Sequence, residues 1–101
     1  MIEFAADTPI SLSADNIILL RFGNDWDQED ISEMITRIFE RIANANVAEH
    51  VTGADREYLR FRCNNHHFLL QFETYSNACW IEAEDEFSEP GIAELFKQLS
   101  V

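Results

Sequence analysis

Cys63, His66, His67 and Cys79 are of types that ligate transition metals or act as nucleophiles, and they cluster in one stretch of the chain. Cys63-x2-His66 has a ligand spacing, and two cysteines with two histidines would suit zinc. The strands that carry them argue against it. Asn64-Asn65 is a two-residue hairpin turn that pairs Cys63 with His66, because Asn tolerates positive φ. A second turn at Ser76-Asn77 pairs Cys79 with Thr74. A strand's length, ~26 Å at about 3.3 Å per residue, then separates the two cysteines. Four ligands so placed cannot meet on one ion, so no metal is expected, and both cysteines read as small buried apolar side chains.

Two acidic runs invite other chemistry. Asp25-Trp26-Asp27-Gln28-Glu29-Asp30 has the density of a calcium loop. An EF-hand starting at Asp25 would need Gly at its sixth position and Glu at its twelfth, where this chain has Asp30 and Thr36. An acidic helix start explains the run without an ion. Glu82-Ala83-Glu84-Asp85-Glu86 offers paired carboxylates, but acid–base work needs a sheltered site with displaced pKa values. Carboxylates leaving a strand for a loop are solvated. There is no G-x-S-x-G, no glycine-rich phosphate loop and no cysteine set beside a helix start in sequence. No catalytic residue and no cofactor is expected.

Composition narrows the partners. The chain has 101 residues, 47% hydrophobic and 12% aromatic, enough for one domain with a real core. Seven Lys+Arg stand against 19 Asp+Glu, a net charge of −12. That is beyond the ~2–8 in magnitude usual for a small soluble domain. Binding nucleic acid means neutralising phosphates with Lys and Arg, so nucleic acid is excluded as a general partner. An anionic membrane surface would repel the chain, whereas a basic protein would be drawn to it. Two cysteines are too few for a disulfide framework. No apolar run reaches the ~18 residues of a membrane span. The opening Met1-Ile2-Glu3-Phe4-Ala5-Ala6-Asp7 lacks the basic and apolar regions of a signal peptide, so the expected location is cytoplasmic.

The elements that would position these residues follow from periodicity. Residues 1–4 and 10–13 alternate weakly around Asp7-Thr8-Pro9, and either reads as a short edge strand; Pro9 fits only an edge or a turn. Residues 17–22 form an apolar run expected to be a central strand. Ile31, Met34, Ile35, Ile38, Phe39 and Ile42 make one stripe at helical spacing. Asp27 is its expected N-cap, Trp26 and Ile31 are spaced as a staple, and the helix should fade at residues 44–46. Residues 47–52 read as a weak strand or an extended loop.

Residues 57–63 alternate cleanly, with Leu59, Phe61 and Cys63 inward. The next strand puts Phe68, Leu70 and Phe72 inward. The first turn pairs Phe61 with Phe68 and Leu59 with Leu70. The second pairs Phe72 with Ile81 and Leu70 with Ala83. Both hairpins agree on the apolar face. A last helix is expected after Ser88 as N-cap, with Phe87 and Ile92 as a staple, Pro90 in the first turn, and a stripe of Ile92, Leu95, Phe96 and Leu99.

The expected fold class is α+β, a two-layer sandwich: a mostly antiparallel sheet of four to six strands with two amphipathic helices packed on one face. The opposite face should carry Tyr58, Arg60, Arg62, His67, Leu69, Gln71, Glu73, Trp80 and Glu82, with Glu73 opposite Trp80 and Arg60 opposite Leu69. Tyr, Trp and Arg are enriched where interfaces are tightest, so Tyr58, Arg60, Arg62, Leu69 and Trp80 are the candidate interaction surface. Its occupant would be a basic protein or a second copy of the chain in a homodimer. The alternative is a small-molecule binder or enzyme with a pocket between helix and sheet.

The stretch Phe68-Leu69-Leu70-Gln71-Phe72-Glu73, followed by Cys79-Trp80-Ile81-Glu82 and a short final helix, resembles a family of small uncharacterised acidic proteins. They form a domain-of-unknown-function family of marine and enteric-type gammaproteobacteria, near this chain in length. The resemblance implies a bacterial protein and brings no functional residues with it.

Overall fold

The computed structural model of the chain describes residues 2–100. Six strands, β1 (Ile10–Leu12), β2 (Ile18–Leu20), β3 (Ala45–Thr52), β4 (Arg56–Cys63), β5 (His66–Glu73) and β6 (Ala78–Ala83), form one sheet. Their order is β1-β2-β6-β5-β4-β3, and all neighbours are antiparallel. Two helices, α1 (Ile31–Phe39) and α2 (Gly91–Leu99), complete an α+β fold. Among the described residues no helix is long and apolar enough to cross a membrane.

Alternation along the strands sorts the sheet's faces. Glu57, Leu59, Phe61 and Cys63 of β4 are buried, and the residues between them are not. Phe68, Leu70 and Phe72 of β5, Cys79 and Ile81 of β6, and Ile18 and Leu20 of β2 continue that face. Ile18 opposes Ile81, Ile81 opposes Leu70, and Leu70 opposes Leu59. Ile31, Met34 and Ile38 of α1 and Ile92, Leu95 and Leu99 of α2 are buried in the same cluster. The Phe39 ring stands edge-on to Phe61, with centroids 5.1 Å apart, a favoured aromatic geometry.

The first hairpin has the expected register. Asn64 and Asn65 both take positive φ, 51° and 69°, and Phe61 pairs with Phe68 and Leu59 with Leu70. The second hairpin is displaced by two residues. Phe72 pairs with Cys79 rather than Ile81, and Ala83 pairs with Phe68 rather than Leu70. Its loop is residues 74–77, not two residues, because the Asn77 side chain is clamped elsewhere. Asn77 Oδ1 accepts from Trp26 N at 2.9 Å, and Asn77 Nδ2 donates to Trp26 O at 2.7 Å. A shift of two leaves every side chain on its face.

The helix starts also depart from expectation. Asp27 caps as foreseen, accepting from Glu29 N at 2.9 Å, but a 3-10 turn (Gln28–Asp30) precedes α1. The helix ends at Phe39 rather than fading at residues 44–46, and Asn44 at φ 61° turns the chain into β3. Ser88 is not the N-cap of the last helix. Asp85 caps a 3-10 turn (Glu86–Ser88) by accepting from Ser88 N at 2.8 Å, and the Ser88 hydroxyl is buried, accepting from His67 N at 2.7 Å. Phe87 forms no buried staple; it is 70% exposed, with its ring 5.4 Å from that of His66.

At the N-terminal side, β1 is the edge strand, and the Pro9 carbonyl accepts from Arg21 N. Phe4 bridges Phe22, and their rings stack at 4.7 Å; Met1 lies outside the described residues. The run expected as a central strand is interior but has only three residues in β2. The weak segment at residues 47–52 belongs to an eight-residue strand, β3, at the opposite edge. A bulge between Val47 and Glu49 interrupts it, one of the ways native edges resist further pairing.

Candidate functional site

The face opposite the core is ordered by the same register. Leu19 opposes Trp80, Trp80 opposes Gln71, Gln71 opposes Tyr58, and Tyr58 opposes Val51. This row crosses five strands, ~19 Å at about 4.8 Å per strand. Leu19 is 43% exposed; Trp80, Gln71, Tyr58 and Val51 are half-buried. Trp80 thus lies opposite Gln71, not Glu73, a direct result of the displaced second hairpin. The next row is Glu82, Leu69, Arg60 and Glu49, and Arg60 does oppose Leu69.

Charges flank the row in pairs. Trp80 Nε1 donates to Glu82 Oε2 at 2.6 Å, which satisfies the indole. The Arg56 guanidinium lies 5.8 Å from the centre of the Trp80 ring and 3.6 Å from Glu73 Oε2. Arg60 sits between two carboxylates, 3.2 Å from Glu49 and 3.0 Å from Glu84, although its Nε–H is not aligned on the latter. Arg62 is exposed, opposite His67, with no ion-pair partner among the described residues. Of the expected surface, then, Tyr58 and Trp80 share one row, Arg60 and Leu69 the next, and Arg62 stands further toward the β4–β5 turn. Arg56 and Arg60 are matched by acids of neighbouring segments: Glu73 for the first, Glu49 and Glu84 for the second.

Cys63 lies beside His66 at one end of β5 and Cys79 toward the other, in a different register from the expected one. Cys63 pairs with His66 and Cys79 with Phe72. Both cysteines are free and buried. Burial alone pushes the Cys79 thiol far above its ordinary range. Burial also raises Cys63, against a hydrogen bond from Gln98 and with help from the Glu94 charge. Neither is a thiolate nucleophile at neutral pH. Among the described residues no group of three His, Cys, Asp or Glu side chains is placed to hold a metal ion. Glu57 is the buried carboxylate of the apolar face, 7% exposed, and its Oε2 meets Nε2 of His50 on the edge strand. Of the acidic run before α2, Asp85 has its carboxyl held below the ordinary range, chiefly by hydrogen bonding with Ser88.

Cavities are small. One of about 300 Å³ lies between the N-terminal segment and α1, walled by Phe4, Arg37, Glu40 and Arg41. Its arginines are engaged: Arg37 with Glu33 and Glu40, Arg41 with Leu99 O and the Phe4 ring. Another of about 160 Å³ lies between the β4–β5 turn and α2. Pockets for small molecules run from ~300 to 1,000 Å³, so neither has room to spare. Sequence reasoning missed the second cavity, because it joins residues of the turn to a helix some thirty positions later; no local pattern carries that information.

A family model described as a protein of unknown function, DUF3630, matches residues 9–100. The chain belongs to the DUF3630 family. No curated protein and no solved structure matches it. The DUF3630 match covers both helices and all six strands, so the outer row and the matched acids lie within the family's domain. DUF3630 carries no assigned activity, and function is argued from the surface itself.

Proposed function

We propose that this DUF3630 protein is a small acidic, non-enzymatic interaction module. In this reading both helices cover one face of the sheet as a two-layer sandwich, and the other face docks a basic protein in the bacterial cytoplasm. The observation that carries it is the row Leu19, Trp80, Gln71, Tyr58 and Val51, an apolar and aromatic strip across five strands with ion pairs on its flanks. Aromatic anchors ringed by charge are the usual make-up of a contact surface. The net charge of −12 supplies long-range attraction to a basic partner, and salt should slow its association.

The test is a pair of surface variants. Tyr58→Ser with Leu19→Ser removes two of the anchors and leaves the buried face untouched. The pair is expected to lose the partner at low salt while far-UV circular dichroism and melting stay near those of the parent. Retained binding in the double variant would refute the sheet face as the contact. A homodimer is the second occupant of the same face, and light scattering over a concentration series separates the two: a constant monomer mass removes it. A helix–sheet pocket for a small molecule is the weaker alternative, because the cavity in that position holds only about 160 Å³.

A further inference from the structure

The cavity of about 300 Å³ lies between the N-terminal segment and α1. Phe4 and Pro9 give it an apolar wall, Arg37 and Arg41 a basic one, and the exposed Glu3 and Glu40 an acidic rim. Its volume is at the floor of the ~300–1,000 Å³ range of small-molecule pockets, so it suits a molecule of few heavy atoms.

Arg41 carries the unmet chemistry of this cavity. Among the described residues it is the one Lys or Arg that is half-buried and has no ion pair, in a chain with 19 Asp+Glu. Its guanidinium lies 4.3 Å from the centre of the Phe4 ring, which itself stacks on Phe22 at 4.7 Å. Its Nη1 donates to Leu99 O at 2.8 Å. Those contacts fix the plane and occupy one end of the fork. Nε and Nη2 have no partner among the described residues. The unpartnered side-chain atoms closed to solvent belong to Arg60 and His66, not to Arg41. The edge left over presents two parallel N–H groups, the pattern that takes both oxygens of one carboxylate.

Charge narrows the carboxylate's owner. A simple anion would meet Glu3, Glu40 and the field of a chain with net charge −12. A zwitterion brings its carboxylate without net charge, and its ammonium is drawn to the same two glutamates. Arg37 does not compete for the carboxylate. Its Nε donates to Ile2 O at 3.3 Å, and its other nitrogens lie 3.5 Å from Glu33 and 3.6 Å from Glu40.

We infer that this cavity binds a free α-amino acid with a small apolar side chain. Nε and Nη2 of Arg41 donate to its carboxylate, its ammonium donates to Glu3 and Glu40, and its side chain lies against Ala5 and Pro9. None of these residues belongs to the outer row of the sheet, so the inference goes beyond the docking reading and stands without it.

The probes are L-alanine and L-valine, titrated near neutral pH into the ¹⁵N-labelled full chain and followed by amide shifts. Saturable shifts are expected at Phe4, Ala5, Arg37 and Arg41. L-Valinamide, which lacks the carboxylate, should give none, and isovalerate, which lacks the ammonium, should bind about tenfold more weakly than valine. Arg41→Lys keeps the charge without the fork and should cost about tenfold in affinity. Glu3→Gln with Glu40→Gln, both at exposed positions, should weaken valine and leave isovalerate bound at least as tightly as before. No saturable shift with either amino acid overturns the site, and so does unchanged affinity in a folded Arg41→Lys. Valinamide bound as tightly as valine overturns the role of the fork. Isovalerate bound as tightly as valine, or equal losses of both in the glutamate pair, overturns the zwitterion.

Discussion

Gly91 rests directly on the side chain of His66: a methyl group on its Cα would lie 2.7 Å from the ring's Cγ and Cδ2 and 3.0 Å from Cβ. Those atoms are the base of the side chain, which cannot swing aside without moving β5. Gly91→Ala is therefore expected to destabilise the fold by about 1–3 kcal/mol, the usual cost of overpacking. Combining it with His66→Ala should recover most of the loss. Urea midpoints for the two single variants and the double test this coupling; simple additivity would show that the contact is slack.

Phe61 sits where α1 meets the sheet. It is fully buried, edge-on to Phe39, with its ring 5.4 Å from that of Phe68. Phe61→Ala should cost about 3–5 kcal/mol, lost transfer energy together with the cavity left behind. Phe39→Ala, on a half-buried residue, should cost less. A Phe39→Ala loss near zero would mean that the helix does not pack on this part of the sheet.

Glu57 places a carboxylate on the apolar face, and His50 of the edge strand satisfies it. Removing the partner leaves a buried acceptor unmet, which costs about 1–3 kcal/mol. His50→Ala should show that loss in chemical denaturation. In the Glu57→Leu background the same change should be nearly neutral. Equal losses in both backgrounds would place the effect in β3 itself.

Asp85 gives the fold a defined acid response. Its pKa is lowered on folding, chiefly by hydrogen bonding with Ser88. A group with a depressed folded pKa stabilises above its unfolded value, and the contribution disappears as pH falls through the folded value. Asp85→Asn is expected to be less stable than the parent near neutral pH, with a gap that narrows once pH drops below the ordinary 3.8. A gap that stays constant as pH falls well below that value would assign the effect to the cap's geometry and not to its charge.

The faces of the sheet were readable from alternation, because a period of two survives a register error of two. Leu70, Phe72 and Ile81 are inward in the expected pairing and in the observed one. The turn itself was not readable. Ser76-Asn77 has the composition of a tight turn, but Asn77 is held by the Trp26 backbone, a contact across 51 positions. Ser88 resembles an N-cap by type, yet its hydroxyl serves His67 of β5, and Asp85 takes the cap. For the site, the sequence placed Tyr58, Arg60, Arg62, Leu69 and Trp80 on one face. It could not reveal that Arg60 is held between Glu49 and Glu84, because neither acid is on its own strand.

The most direct test of the outer face puts a photo-reactive benzophenone side chain at position 71, between Trp80 and Tyr58, and another at exposed Thr36 on α1. Irradiation in living cells followed by denaturing electrophoresis should give one discrete adduct from position 71, weakened by Tyr58→Ser, and none from position 36. Adducts of the same pattern from both positions, or none from position 71, would contradict a docking role for this face.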